Sequence, residues 1–249
     1  MSKAQATLNA EIAAFIDRKD AKGESYTLED INYIQQFTGD GGQGTETRGA
    51  LYEYYTPEYI VKKMWGLVFD NGFTSGNILE PSCGIGRFLR YVDPAVSSVT
   101  AYEYSKDTTT GFRIAQISYP FVNFTNNYFE TVFYKDNKRV GAPADFDVVI
   151  GNPPYGAFDG KYSGSKREGG IFPGRTYDQY FIWAAIQLLK PGGLVCFIIP
   201  SSFLENNGSY EEFKTELATQ AELIDAYRLP RGVFDFTEIQ PDIVLFRKK

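Results

Sequence analysis

From residue 48 onward the sequence alternates short apolar runs with helix-like stretches, and that alternation restricts the chain to few architectures. Val148-Val149-Ile150 and Cys196-Phe197-Ile198-Ile199 are continuous apolar runs. Such runs are expected of parallel strands buried on both faces. Strands are expected at Asn77–Glu80, Ser98–Tyr102, Val122–Thr125, Phe146–Ile150, Leu194–Pro200, Leu223–Arg228 and Ile243–Arg247. Helices are expected at Pro57–Phe69, Gly86–Tyr91, Lys106–Ser118, Asp178–Leu189 and Tyr210–Thr219, with a turn at Leu189-Lys-Pro-Gly-Gly193. The pattern predicts an open, doubly wound α/β fold with a mostly parallel sheet. In such sheets ligands sit beyond the carboxyl ends of the strands, so chemistry is sought just after each one.

The first forty-five residues differ in pattern. Leu8, Ile12, Phe15 and Ile16 recur at helical spacing, as do Leu28, Ile31, Ile34 and Phe37, with Thr27 as N-cap of the second run. Gly39-Asp-Gly-Gly-Gln-Gly44 then interrupts the periodicity as a joint. A helical extension over residues 1–45, packed on a catalytic domain over 46–249, is the expected division.

Composition removes several chemistries. There is no His, which excludes Ser-His-Asp and Cys-His catalysis and every His-ligated metal. Cys83 and Cys196 are far apart, form no CxxC, and read as packing residues in a reducing cytoplasm, so no metal is expected. A formal charge of −6 excludes nucleic-acid binding by bulk positive charge, though not a local basic surface. No apolar run approaches the roughly 20 residues of a membrane span, and the Ser-Lys-Ala-Gln start is unlike a signal peptide.

Three segments at strand ends carry chemical signals. After the first strand, Glu80-Pro81-Ser82-Cys83-Gly84-Ile85-Gly86 pairs a glycine turn with an acidic residue, and a helix N-terminus offering free N–H groups is expected to follow. The acid suits a ligand bearing a positive charge, such as the ammonium of an amino acid. Glu103, after the second strand, is placed to accept both hydrogen bonds of a ribose diol. Asn152-Pro153-Pro154-Tyr155 ends a buried strand on two stiffening prolines. There the Asn152 side chain and the Pro153 carbonyl are expected to face outward as paired acceptors for a planar NH2 group, with Tyr155 as a stacking face. The Gly-rich stretch 160–176 carries Lys161, Lys166, Arg167 and Arg175 against Glu168, net +3, and reads either as a mobile catalytic loop meeting phosphates or as a solvated loop.

Taken together, these residues resemble S-adenosylmethionine-dependent methyltransferases that modify amino groups, and most closely the DNA adenine-N6 methyltransferases with an Asn-Pro-Pro-Tyr motif. The resemblance runs from about residue 48 to 249 and implies a Rossmann-like class I methyltransferase fold with a seven-stranded sheet. It implies cofactor contacts from Tyr55 and Thr56 of Tyr54-Tyr-Thr-Pro57, from Glu80, Pro81, Ser82, Cys83 and Gly84, from Glu103 on ribose, and from Asn152 and Pro154. Asn152, Pro153, Pro154 and Tyr155 match the catalytic tetrad, and Phe234, in Arg228-Leu-Pro-Arg-Gly-Val-Phe234, matches the aromatic set against a flipped base. The family's Asp-Phe grip on the cofactor adenine is replaced by Asn126-Asn-Tyr-Phe-Glu130, where Phe129 is expected to stack and Glu130, Asn127 or a carbonyl to accept the amino group.

The implied reaction is methyl transfer to adenine N6 in DNA, as in restriction-modification systems. Asn152 and the Pro153 carbonyl hold the amine, Tyr155 and Phe234 stack on the flipped base, and Lys166, Arg167 and Arg175 meet phosphates. The chain extends only fifteen residues past Phe234, where such enzymes carry a target-recognition domain, so sequence choice is expected from a partner subunit or an absent segment. The competing readings are methylation of an RNA amino group or of a protein glutamine, and a non-catalytic cofactor-binding subunit.

Overall fold

The computed structural model describes residues 2–38, 55–104, 109–136, 138–158, 172, 174–205, 208–234 and 240–249. Its center is a seven-stranded sheet. The chain lays down β1 (Gly76–Glu80), β2 (Ser97–Glu103), β3 (Asn123–Asn126), a small β4–β5 hairpin (Tyr134–Lys135, Lys138–Arg139), β6 (Phe146–Gly151), β7 (Leu189–Pro200), β8 (Ala221–Arg228) and β9 (Pro241–Lys248). The order across the sheet is β3-β2-β1-β6-β7-β9-β8. Ladders from β3 through β7 are parallel, and β9 runs antiparallel between β7 and β8. All seven expected strands of the sheet are present; the β4–β5 hairpin was not anticipated.

Side-chain alternation divides the buried strands between two cores. Ile78, Val148, Ile150, Cys196 and Ile198 face Met64 and Trp65 of α3 (Glu58–Asp70). Leu79, Val149, Val195, Phe197 and Ile199 face Phe181 and Ala185 of α5 (Tyr177–Leu188) and Phe213 of α6 (Gly208–Gln220). Both faces are covered, so the continuous apolar runs never meet water. Trp65 Nε1 donates to the Phe88 carbonyl at 2.8 Å and ties α3 to the turn that follows β1.

Two local expectations are corrected. Gly86–Tyr91 is not an α-helix but a 3-10 turn over Arg87–Tyr91. The expected Leu189–Gly193 turn lies within β7 as an irregularity, where pairing jumps from Phe146↔Leu189 to Val148↔Leu194. Residues 190–193 therefore bulge opposite Asp147, whose carboxylate holds Lys190 Nζ at 2.9 Å and the Asn77 N–H at 2.7 Å.

At the N-terminus, α1 (Lys3–Lys22) and α2 (Leu28–Ile34) form a helical cap at the two expected helical runs, while the joint expected at Gly39–Gly44 lies outside the described residues. Ser2 caps the first helix and Thr27, in a capping box with Asp30, the second. Ile12, Ile16 and Ile34 join Ile85 and Ile114 in a third apolar cluster, the last from α4 (Thr109–Ser118). Leu28, read as part of the apolar face, is 75% exposed because it opens α2 at the rim. Full burial of an isoleucine is worth about 1.5–3 kcal/mol, whereas an exposed ion pair contributes roughly 0.2–1 kcal/mol. The isoleucines, more than the Arg113–Asp20 pair at 2.7 Å, therefore hold the cap in place. Among the described residues no helix is long and apolar enough to cross a membrane.

Candidate functional site

The carboxyl ends of β1, β2 and β6 converge because these strands are adjacent and parallel. Glu80 ends β1 beside Ala101 of β2, and the loop behind it reaches both neighbors. Cys83 N–H donates to the Tyr102 carbonyl at 2.9 Å, and Gly84 N–H to Glu103 Oε2 at 2.6 Å. Ser82 Oγ donates to the Asn152 carbonyl at 3.3 Å, joining the acidic loop to the segment after β6.

Gly84 is required at its position. Its φ is +52°, and a Cβ there would lie 2.9 Å from Cε1 of Tyr55. Tyr55 in turn has Arg87 over its ring at 5.7 Å, and Arg87 donates to the Thr56 carbonyl at 3.1 Å. Tyr55, Thr56, Glu80, Pro81, Ser82, Cys83, Gly84 and Glu103 thus share one neighborhood. The expectation of free N–H groups at a following helix N-terminus is corrected. Gly84 N–H is taken by Glu103, Gly86 N–H by the Cys83 carbonyl at 2.7 Å, and the 3-10 turn presents no helix end.

Glu80 is the unusual group. It is 1% exposed, and neither carboxylate oxygen has a hydrogen-bond partner among the described residues. Burial pushes its pKa well above the ordinary glutamate value, and the nearby Glu103 charge adds to the rise. A buried carboxyl in this state gains most from a cation placed against it. Glu103, expected to accept both hydroxyls of a ribose diol, already accepts the Gly84 N–H on Oε2, and its carboxylate has further acceptor positions beyond that bond.

Beyond β2 and β3 the aromatic positions differ from expectation. Phe129 is 3% exposed and packs against Phe181 at 4.9 Å and Tyr102 at 5.8 Å, so it belongs to the core. The half-buried rings at these strand ends are Tyr104 and Tyr128, stacked with centroids 3.6 Å apart. Sequence reading missed this pair, although Tyr104 directly follows Glu103 and Tyr128 precedes the 3-10 turn that turns Phe129 inward.

After β6, Asn152 is partly accessible and Pro153 is buried. The Tyr155 hydroxyl donates to Asn152 Oδ1 at 2.9 Å, so this acceptor is engaged and does not simply face outward. The exit is clamped: Tyr177 N–H donates to the Gly156 carbonyl and Phe158 N–H to the Arg175 carbonyl, each at 2.9 Å. Gln179 Oε1 accepts from the Arg175 and Thr176 N–H groups at 2.6 and 3.2 Å. Arg175 is exposed at the base of the basic stretch; Lys166 and Arg167 lie outside the described residues. Phe234 is 4% exposed among the apolar side chains between α3 and the sheet, so its ring is not open to a base in this conformation.

Cys83 and Cys196 are free, buried thiols whose pKa values burial raises, consistent with packing. No group of three or more potential metal ligands occurs among the described residues. A cavity of about 210 Å³ lies behind the glycine turn, lined by Gln35, Glu58, Val61, Arg87, Arg90 and Tyr119. It includes none of the predicted site residues.

A model of the Eco57I restriction-modification methylase family matches residues 99–234, a span that includes Glu103 and Asn152–Tyr155. The chain is 33% identical over 229 residues to the Defense against restriction protein B of Escherichia phage P1, covering 91% of this chain and 9% of that protein. It is 32% identical over 184 residues to the type II methyltransferase M.HincII of Haemophilus influenzae, covering 66% of this chain and 33% of that one. The type I restriction-modification system methyltransferase subunit from Streptococcus thermophilus has the same fold, with a TM-score of 0.66 at 21% identity over 88% of this chain and 49% of that chain. The chain therefore spans a third or less of the length of these two curated relatives.

Proposed function

Because the chain belongs to the Eco57I restriction-modification methylase family and has the class I fold that uses S-adenosylmethionine, we propose that it methylates the N6 amino group of adenine in DNA. The reading rests on one observation above all: the Ser82–Asn152 hydrogen bond joins the acidic loop to the Asn-Pro-Pro-Tyr segment beyond the carboxyl ends of β1 and β6. A cation-seeking carboxyl and a segment suited to a planar amine are then neighbors.

The residues fit the cofactor. Glu80, buried and without a partner among the described residues, is suited to the ammonium of the methionine moiety. Glu103 takes a ribose hydroxyl while keeping the Gly84 N–H. Tyr104 and Tyr128 take over the role expected of Phe129, parting to admit the adenine ring. Thr56, with Tyr55 against Gly84, closes the near side of the loop.

The cofactor supplies a methyl group already activated on a sulfonium. The protein's part is alignment, which can be worth roughly 7–11 kcal/mol. Asn152 Oδ1 and the Pro153 carbonyl accept the two N–H bonds of the target amine and draw its lone pair out of conjugation, toward the methyl group. Tyr155 stacks on the flipped base, and Phe234 joins it only by leaving the core. Arg175, with Lys166 and Arg167, meets the phosphates. A partner subunit or another segment supplies sequence choice, and the substrate places the reaction in the cytoplasm.

The test is methyl transfer from labeled cofactor to duplex DNA, with RNA and a glutamine-bearing protein as parallel acceptors. Label on adenine N6, abolished in Asn152→Ala while cofactor affinity persists, supports the proposal. Label on RNA or protein alone, or unchanged turnover in Asn152→Ala, overturns it.

A further inference from the structure

We propose that the α1–α2 cap is a working part of the cofactor site, with Ile34 and Gln35 as positioning residues for the Gly84–Gly86 turn. The inference rests on the cofactor reading above and adds to it a contribution from outside the sheet.

Ile85, the middle residue of the turn, is fully buried in the cluster formed by Ile12, Ile16, Ile34 and Ile114. Gly84, one residue earlier, gives its N–H to Glu103 at the site. Adjacent residues of one turn are thus held by different parts of the molecule, the cap through a side chain and the sheet end through the backbone. Gln35 bridges the same place: its Nε2 is 2.8 Å from Ser118 Oγ and 3.4 Å from the Ile85 carbonyl. Two further contacts fasten the cap, one to the ring beside the loop and one to α4. Phe37 lies 6.3 Å from the Tyr55 ring, which itself packs against Gly84. Arg113 of α4 holds both oxygens of Asp20 on α1, at 2.7 and 2.8 Å.

A glycine-rich turn without these anchors has other conformations open to it, and cofactor affinity falls by the fraction of molecules left competent. The anchors act on the turn and not directly on Asn152, because none of them touches that segment. The cap therefore acts on cofactor binding and not on the methyl-transfer step.

The experiment uses the full chain carrying Gln35→Ala, Ile34→Ala or Ile34→Val. It reads calorimetric affinity for S-adenosylhomocysteine together with steady-state methylation of plasmid DNA. For Gln35→Ala and Ile34→Ala the expected result is a rise of about tenfold in the dissociation constant and in cofactor KM, with kcat within about twofold of wild type. DNA KM should stay unchanged, and Ile34→Val should restore most of the affinity. Gln35→Ala removes no core packing, so it keeps the test valid where Ile34→Ala fails to fold. Wild-type affinity in Gln35→Ala, or a fall in kcat as large as the fall in kcat/KM, overturns the cap's role. A wild-type chain with no affinity for S-adenosylhomocysteine overturns the cofactor reading itself, and the cap's role with it.

Discussion

The Tyr155 hydroxyl donates to Asn152 Oδ1 at 2.9 Å, closing a ring inside the Asn-Pro-Pro-Tyr segment. An amide oxygen has two acceptor positions, so this bond fixes the amide's orientation and leaves the second for the amine proposed as target. Tyr155→Phe should slow methyl transfer about two- to tenfold, the equivalent of one neutral hydrogen bond of roughly 0.5–1.5 kcal/mol, with cofactor affinity unchanged. Tyr155→Ala should also raise DNA KM, because base stacking on an aromatic is worth about 1–3 kcal/mol. Steady-state kinetics on the two variants separate hydroxyl from ring; equal effects would refute the division of roles.

Glu80 makes the cofactor-free protein sensitive to pH. Its folded pKa is raised above the ordinary 4.5, so its contribution to stability is fully present below that value and is lost as pH rises through the folded pKa. Glu80→Gln removes the buried charge. The variant should melt higher than wild type at pH 8 and equally at pH 4, and should bind the cofactor at least about tenfold more weakly for want of the ammonium's partner. Melting curves at the two pH values and calorimetry check both halves.

Tyr128 and Phe129 are neighbors in sequence with opposite burial, and the proposed site gives them opposite roles. Tyr128→Ala should weaken cofactor binding while leaving the melting temperature nearly unchanged, since the ring is only half-buried. Phe129→Ala should cost about 3–5 kcal/mol of stability by opening a hole beside Phe181. Thermal denaturation with and without cofactor distinguishes them, and a reversed pattern would restore Phe129 as the adenine contact.

Arg228, which opens the stretch ending at Phe234, holds a structural charge pair. Its Nε and Nη2 reach Asp242 Oδ1 and Oδ2 at 2.8 and 3.0 Å, and Asp242 is 0% exposed. Arg228→Ala leaves that carboxylate buried without its guanidinium, so the melting temperature should fall. Asp242→Asn added to the same background should recover part of the loss. A double variant no more stable than Arg228→Ala would show that the pair is not the cause.

The seven strands of the main sheet were legible because continuous apolar runs such as Val148–Ile150 and Cys196–Ile199 suit strands buried on both faces, whereas the two-residue strands Tyr134–Lys135 and Lys138–Arg139 are too short to carry a pattern. The cap was legible from Ile12, Ile16 and Ile34, and the glycine turn from its neighbors. What stayed hidden depended on rotation and reach. A single 3-10 turn decides that Phe129 points inward and Tyr128 does not, and no periodicity encodes it. Phe234 bears the same identity whether it faces a base or the core. The Gly84–Glu103 bond joins residues nineteen apart in sequence, so the sharing of that carboxylate became visible only with β1 and β2 side by side. Lys190-Pro-Gly-Gly193 has the composition of a turn, and only its pairing across Asp147 makes it a bulge.

The insertion of β9 between β7 and β8 has a consequence for biosynthesis. In the described sheet β8 pairs with β9 and not with β7, although it leaves the ribosome first. Until residues 241–248 have been made, one side of β7 from Leu194 to Pro200 has unpaired N–H and C=O groups along an apolar run. An open edge of that kind can template pairing with other nascent chains. The interval between synthesis of β7 and arrival of β9 is therefore one of raised aggregation risk, and a chain stalled before residue 241 should be recovered less soluble than the full chain.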